Sequence, residues 1–457
     1  MRNILYALLT VSFFYIIAVT GNGCAQIGSI PGGPKDSLPP RLITSSPKQP
    51  AINIKDGRIS LTFDEYVELQ ELQNNLIISP YPKKAPEISS RLKTVSVKLK
   101  DSLLPNTTYS IQFGSSIRDV NENNPAKGFT YVFSTGSHID SLTLSGKLVM
   151  AETGKPDSTL LILLYRDAVD STVEKQKPNY ISFINGDGSF EFKNLPAGKF
   201  SVYALKDGDG GKTYNSKTEI FGFLDSAVTV SEKTAPVTLY AYAEEKKDKA
   251  KPAAPAKNAV KKLRYAAGIT GAQDIRKNLE ITFSNKLKLL DSTKLLLTDT
   301  NYKPLPVSFS IDSNLLVIKT KWAEDFDYRL IIQKDAVRDI TDSSLSKTDT
   351  LRFKTKSAAD YGNVTLRFNK IDSAAHLVLQ FIQNDQVAET FPLTGKEWKY
   401  KLFPPGEYEI RILYDVNNNG QWDPGSYSKK KQPEKVVALP KKFAVKENWD
   451  NESDINL

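Results

Sequence analysis

Short runs of strictly alternating apolar and polar residues fill most of this chain, and they recur in the same order in its two halves. Ile59-Ser60-Leu61-Thr62-Phe63-Asp64 alternates in this way, as do Val95-Ser96-Val97-Lys98-Leu99-Lys100 and Tyr109-Ser110-Ile111-Gln112-Phe113. A period of two puts one side of a strand on a core and the other in water. Turn signals separate the runs at Pro105-Asn106, Asn123-Asn124-Pro125, Asn185-Gly186-Asp187-Gly188 and Pro196-Ala197-Gly198. Strands at this spacing, with no helical pattern between them, predict an all-β chain of antiparallel β-sandwiches.

The recurrence sets the module order. Ile59-Ser60-Leu61-Thr62-Phe63 is echoed by Leu279-Glu280-Ile281-Thr282-Phe283. Tyr109, leading to Arg118-Asp119, is echoed by Tyr328 and Arg338-Asp339. Phe133-Ser134-Thr135-Gly136-Ser137 is echoed by Phe353-Lys354-Thr355-Lys356-Ser357. A second module type follows each copy: the stretch from Phe190 through Leu195-Pro196-Ala197-Gly198 to Phe200 aligns with that from Trp398 through Phe403-Pro404-Pro405-Gly406 to Tyr408. Both run on through a strand to Asp207 and Asp415. The order is A–B–A–B, read as a rod of four sandwich modules. Between the halves, Glu244 to Lys262 is almost entirely Lys, Ala, Pro, Glu and Asp. Such a segment buries too little apolar surface to offset its ordering entropy and reads as a spacer.

The chain start reads as an export signal. Arg2 precedes an apolar run from Ile4 to Val19, and small residues follow up to Cys24. The run is shorter than the roughly 20 residues that span a bilayer as a helix. Cys24 is the only cysteine, so it has no partner within its own chain. Thr20-Gly21-Asn22-Gly23-Cys24 resembles a bacterial lipobox, with Gly21 where a leucine-like residue is usual. That resemblance implies cleavage before Cys24 and a membrane anchor of acyl chains on it. Each buried methylene then contributes about 0.8 kcal/mol. The Pro/Gly-rich stretch after it reads as a tether.

Larger resemblances rest on further residues. The A modules resemble the bacterial Ig-like domain of the SbsA type. The match rests on Asp36-Ser37-Leu38-Pro39-Pro40, Leu61-Thr62-Phe63-Asp64-Glu65-Tyr66-Val67, Leu104-Pro105-Asn106-Thr107-Thr108-Tyr109 and Phe133-Ser134-Thr135-Gly136. The B modules resemble the carboxypeptidase-regulatory or collagen-adhesin B-type sandwich, through Leu195-Pro196-Ala197-Gly198-Lys199-Phe200 and Phe403-Pro404-Pro405-Gly406-Glu407-Tyr408. As a whole the chain resembles Ig-like-domain lipoproteins of Bacteroidetes envelopes. The expected layout is a signal peptide over 1–23, a lipidated tether over 24–40 and an Ig-like module over 41–137. A regulatory-like sandwich over 139–243 and the linker over 244–262 follow. A diverged second Ig-like module over 263–357 and a second regulatory-like sandwich with the tail over 361–457 complete it.

Scarce residues narrow the chemistry. His138 and His376 are the only histidines, which leaves no ligand set for a His/Cys zinc site. Each reads as structural. A net charge of +9 arises mainly from lysines spread along the chain, without the basic stripe that nucleic-acid binding needs. Asp415, Asn417, Asn419 and Asp423 place oxygens at alternate positions around Gly420, as a calcium loop does. Ser426 stands where a bidentate Glu is expected, and a plain hairpin turn accounts for the same residues. Asp207-Gly208-Asp209-Gly210-Gly211 is the weaker counterpart in the other B module. Trp422 and Trp449 lie beside polar residues and are candidates for stacking on a glycan or protein, whereas Trp322 and Trp398 read as core.

The expected function is a lipid-anchored cell-envelope protein that binds or scaffolds without catalysis. A purely structural spacer or assembly factor is the alternative, and a glycoside-active enzyme with a carboxylate pair is the remote one. No cofactor beyond calcium is expected. Partners are the membrane, through Cys24, and an unknown protein or glycan. No acidic run follows Cys24, and the resemblance to Bacteroidetes lipoproteins, in which such a run often accompanies surface display, then implies the periplasmic face of the outer membrane over the cell surface.

Overall fold

The computed structural model describes residues 9–13, 15, 35–167, 171–246, 262–269, 271–372 and 374–456. Cys24 and most of the expected signal, tether and linker lie outside the described residues. Among the described residues no helix is long and apolar enough to cross a membrane. The chain is almost entirely β and forms tandem Ig-like sandwiches. It divides into two compact units, residues 1–78 with 82–139 and residues 79–81 with 140–457.

In the first unit one sheet runs Leu42–Ser46, Arg58–Phe63, Thr94–Lys98, Glu87–Arg91. Facing it, Thr108–Gly114 pairs with Phe129–Ser134. The alternation sets the register: Leu61 pairs with Val95 and Ile59 with Val97, so all four point to the core. Ile111, Phe113, Tyr131 and Phe133 meet them from the other sheet. Burying each such side chain contributes about 1.5–3 kcal/mol.

The second unit holds three sandwiches. The A-type one has the sheet Tyr265–Ala267, Leu279–Phe283, Leu315–Lys319, Ser308–Asp312 over a sheet of Leu295–Thr298, Asp327–Ile332 and Asp349–Lys354. Both A-type modules close one end in the same way. Tyr109 Oη accepts from Leu104 N–H at 2.7 Å, and Tyr328 Oη accepts from Ala323 N–H at 2.9 Å. Each tyrosine stacks on the phenylalanine of the echoed strand, Phe133 at 5.0 Å or Phe353 at 5.6 Å. The repeated Arg-Asp pair also has a structural reason. Asp119 and Asp339 are buried, and each accepts backbone N–H groups of the turn that follows it.

The two B-type modules share a plan. A three-stranded sheet, Ser189–Leu195, Leu142–Met150, Val237–Ala241, faces Tyr180–Phe183, Leu161–Arg166, Gly198–Leu205, Phe221–Phe223. Its counterpart, Glu397–Phe403, Gly362–Phe368, Asp450–Ile455, faces Gln386–Leu393, Leu377–Gln383, Gly406–Tyr414, Lys435–Ala438. One pairing in each departs from the antiparallel expectation. The last strand lies parallel to the first, Leu148 opposite Leu239 and Leu366 opposite Ser453. The returning strand covers an edge that the first strand would otherwise leave open. The acid-rich segment Asp450–Ile455 is therefore the closing strand of the last module.

The rod expectation, which sets the second and fourth modules apart, fails within this unit. The Leu161–Arg166 sheet is buried on both faces. Ile162 and Leu164 face the sandwich core, while Leu163 and Tyr165 join a second cluster that includes Tyr427 of the fourth module.

Candidate functional site

The segment from Asp415 to Glu434 joins two strands of the last module and folds around two buried carboxylates. Asp415 accepts from the backbone N–H of Asn419 at 3.2 Å and of Gly420 at 2.7 Å. Glu434, 5% exposed, accepts from Val416 N–H at 2.8 Å and Asp423 N–H at 3.0 Å. Its carbonyl oxygen takes the indole N–H of Trp422 at 2.8 Å. A carboxylate with backbone donors on its oxygens fixes a turn without leaving buried N–H groups orphaned.

The four candidate calcium residues are gathered by this turn. Asn417 and Asn419 donate their side-chain amides to Asp423 Oδ2, while Asp415 faces backbone N–H groups. Asp415 and Asn419 also line a cavity of about 610 Å³ with His376 and Phe391. Among the described residues no three His, Cys, Asp or Glu side chains converge as a metal site. In the other B module Asp207 accepts from Lys212 N–H at 3.1 Å and pairs with the Lys212 ammonium.

The two tryptophans differ in their setting. Trp422 is half-buried, packed on Val378, Leu413 and Val436 and on the aromatic cluster of the second module. Trp449 is 62% exposed, and the Lys446 ammonium lies 4.9 Å from the centroid of its ring.

Beyond Trp422 the loop enters the second module. The Tyr427 ring stands edge-on to Phe221 at 5.1 Å, Phe223 at 5.3 Å, Tyr203 at 5.9 Å and Tyr214 at 6.1 Å. Edge-to-face pairs at such separations are favourable beyond the area they bury. The Lys430 ammonium lies 3.8 Å from the Tyr427 centroid on the outer side. Tyr427 N–H donates to Glu244 at 2.8 Å, and Gln432 donates to Phe223 O at 3.1 Å and Asp225 at 2.7 Å. Further along, Val436 N–H donates to Ala151 O at 3.2 Å.

Close approach is built in by two glycines. At Gly154, φ is +68°, and an added Cβ would lie 2.6 Å from Ala438 N. One at Gly425 would lie 2.6 Å from the Tyr242 ring. At the rim Lys155 pairs with Glu409, which also accepts from Arg411 at 2.7 Å. Burial pushes the Glu409 carboxyl up, but the hydrogen bonds from Lys155 and Arg411 outweigh it and hold the group below the usual range.

The third and fourth modules are joined by a second polar cluster. Arg276 bridges Asp274 at 3.2 Å and Glu389 at 2.9 Å, and Tyr361 Oη donates to Asp274 at 2.7 Å. Burial raises the Asp274 carboxyl, yet the Arg276 and Tyr361 donors leave it lowered overall.

Glu244, Tyr427, Glu434 and Arg276 were not singled out from the sequence. One signal was present. Leu161-Ile162-Leu163-Leu164-Tyr165 and Val202-Tyr203-Ala204-Leu205 are continuous apolar runs where a half-exposed strand would alternate, and such runs mark burial on both faces.

Residues 36–135 match the family model of the bacterial Ig-like domain. No curated protein sequence matches the chain. Among solved structures it is similar to the major pilin subunit BcpA of Bacillus cereus, at 12% identity over 69% of this chain and 99% of that one, with a TM-score of 0.18. It is also similar to the bacterial S-layer protein SbsC, at 14% identity over 92% of this chain and 59% of that one, TM-score 0.16. A third is the Bacillus anthracis TIE protein, at 11% identity over 93% of this chain and 75% of that one, TM-score 0.18.

Proposed function

We propose that this protein is an exported, non-catalytic component of a bacterial cell envelope, anchored by lipid on Cys24 at the outer membrane and facing the periplasm. The observation that carries the reading is the interlock of the last three sandwiches. The Asp415–Glu434 loop, the longest irregular excursion of the last module, is occupied in holding the second and fourth modules together. The bacterial Ig-like match over residues 36–135 supports a structural or adhesive role. The short apolar run ending at a lone cysteine supports the anchor. Trp449, exposed beside Lys446, is the contact proposed for a protein or glycan partner.

The anchor is tested by growing cells with an alkyne fatty acid. Label should enter the wild-type chain and be absent from Cys24→Ser. Equal labelling of both would end the lipid reading. The face is tested by trypsin on intact cells, read as a size shift on a denaturing gel. Protection until the outer membrane is breached fits the periplasmic face, and cleavage in intact cells would place the protein at the surface.

A further inference from the structure

We propose that the outer sheet face of the second module is a recognition surface for the Asp415–Ala438 segment of the fourth, strong enough to hold the two halves of the chain as a 1:1 assembly without the covalent connection through residues 247–261. The contact has the anatomy of a stable protein–protein interface. An aromatic anchor, Tyr427, sits among four rings at its centre. A polar rim surrounds it, formed by Glu244, Asp225 with Gln432, and Lys155 with Glu409. Such central, desolvated tyrosines carry much of an interface's binding energy.

Two further observations make the contact independent of the linker. Undocking would expose Tyr203, Phe221 and Phe223 together with Val378, Leu413 and Val436, apolar surface on both partners. The third module remains with the fourth through Arg276, Asp274, Glu389 and Tyr361, so a cut at the linker leaves the second module facing the fourth across this contact. Glu244, where the expected linker of residues 244–262 begins, is itself a rim residue. A protease acting in that linker would convert the protein into a two-chain form and would not release its C-terminal half.

The test replaces Ala253–Ala256 in the full chain with a site-specific protease sequence and cuts the folded protein. A denaturing gel should show two bands. Light scattering at about 1 μM should show the uncut mass. Tyr427→Ala in the same cut protein should raise the dissociation constant about thirty-fold. Gln432→Ala, at the rim, should act in the same direction but less, and guards against a general folding defect in the tyrosine variant. Two separate species from the cut wild-type chain would overturn the proposal. So would a cut Tyr427→Ala protein that holds together as tightly as wild type.

Discussion

The backbone N–H of Tyr427 donates a 2.8 Å hydrogen bond to Glu244, 183 residues earlier in the chain. Glu244 also accepts from Tyr214 Oη at 3.1 Å, so one carboxylate fixes both the socket wall and the plug. Burial, with the Glu244 charge beside it, pushes the Tyr214 hydroxyl well above its usual range, so it stays protonated and donating. The ring closed by this contact runs through the linker and the whole third module. Most such closure entropy is a slowly growing function of length, so the large separation is no bar to a stable contact.

Tyr427 should therefore be a stability residue for the second unit. Tyr427→Ala leaves a large void among aromatic rings and should cost about 3–5 kcal/mol. Tyr427→Phe keeps the ring and removes the hydroxyl's contacts, that to Tyr203 at 3.3 Å among them, at a cost of about 1 kcal/mol. Urea unfolding of the full chain, followed by tyrosine and tryptophan fluorescence, measures both. Equal effects of the two changes would mean that the hydroxyl, not the ring, holds the loop.

The matched corners make a paired prediction. Thr135 Oγ1 donates to Leu104 O at 2.7 Å, and Thr355 Oγ1 donates to Ala323 O at 2.6 Å, each beside its tyrosine. Tyr109→Phe and Tyr328→Phe should each destabilise their own module by about 1 kcal/mol, because each leaves a backbone N–H without its acceptor. Hydrogen exchange at Leu104 and Ala323 should accelerate in the respective variant. Exchange unchanged at either site would remove the corner from the account.

Acid should act through Asp339. Burial raises its carboxyl, but donors from Asn285, Thr341 and Ser343 outweigh that and leave it below its ordinary value. A group depressed on folding stabilises fully above its unfolded value of about 3.9 and loses that contribution as pH falls through the lower folded value. Melting temperature should thus drop on acidification below about pH 4. Asp339→Asn should melt lower at neutral pH and show a shallower acid slope. The reverse order at neutral pH would mean that the buried charge is a cost.

Calcium distinguishes two uses of the same oxygens. With Asp415 facing the Asn419 and Gly420 N–H groups and Asp423 facing two amides, millimolar calcium should leave the melting temperature of the full chain unchanged. A rise, abolished by Asp415→Asn, would show that the loop re-forms around the ion.

The strand alternation predicted the all-β fold because a period of two is a local property. Ile59, Leu61, Val95 and Val97 declare their buried side whatever they pack against. The echo of Tyr109 and Arg118-Asp119 in Tyr328 and Arg338-Asp339 was legible as a repeat, and its cause is equally local, a corner and a capped turn. The Asp415 loop was visible as a turn rich in Asn, Asp and Gly. Its actual partner was not, since Glu434 and Glu244 are ordinary glutamates until the chain folds back on them.

By itself, then, the sequence determined which residues form strands, where they turn, and that the modules alternate in type, because backbone periodicity and turn chemistry depend on neighbours in the chain. Tertiary structure alone decided that the second and fourth modules lock together and that Trp422 is half-buried against them while Trp449 stays exposed. Those outcomes depend on which apolar faces meet across the linker, and burial against a distant partner leaves no periodic mark beyond an apolar run that fails to alternate.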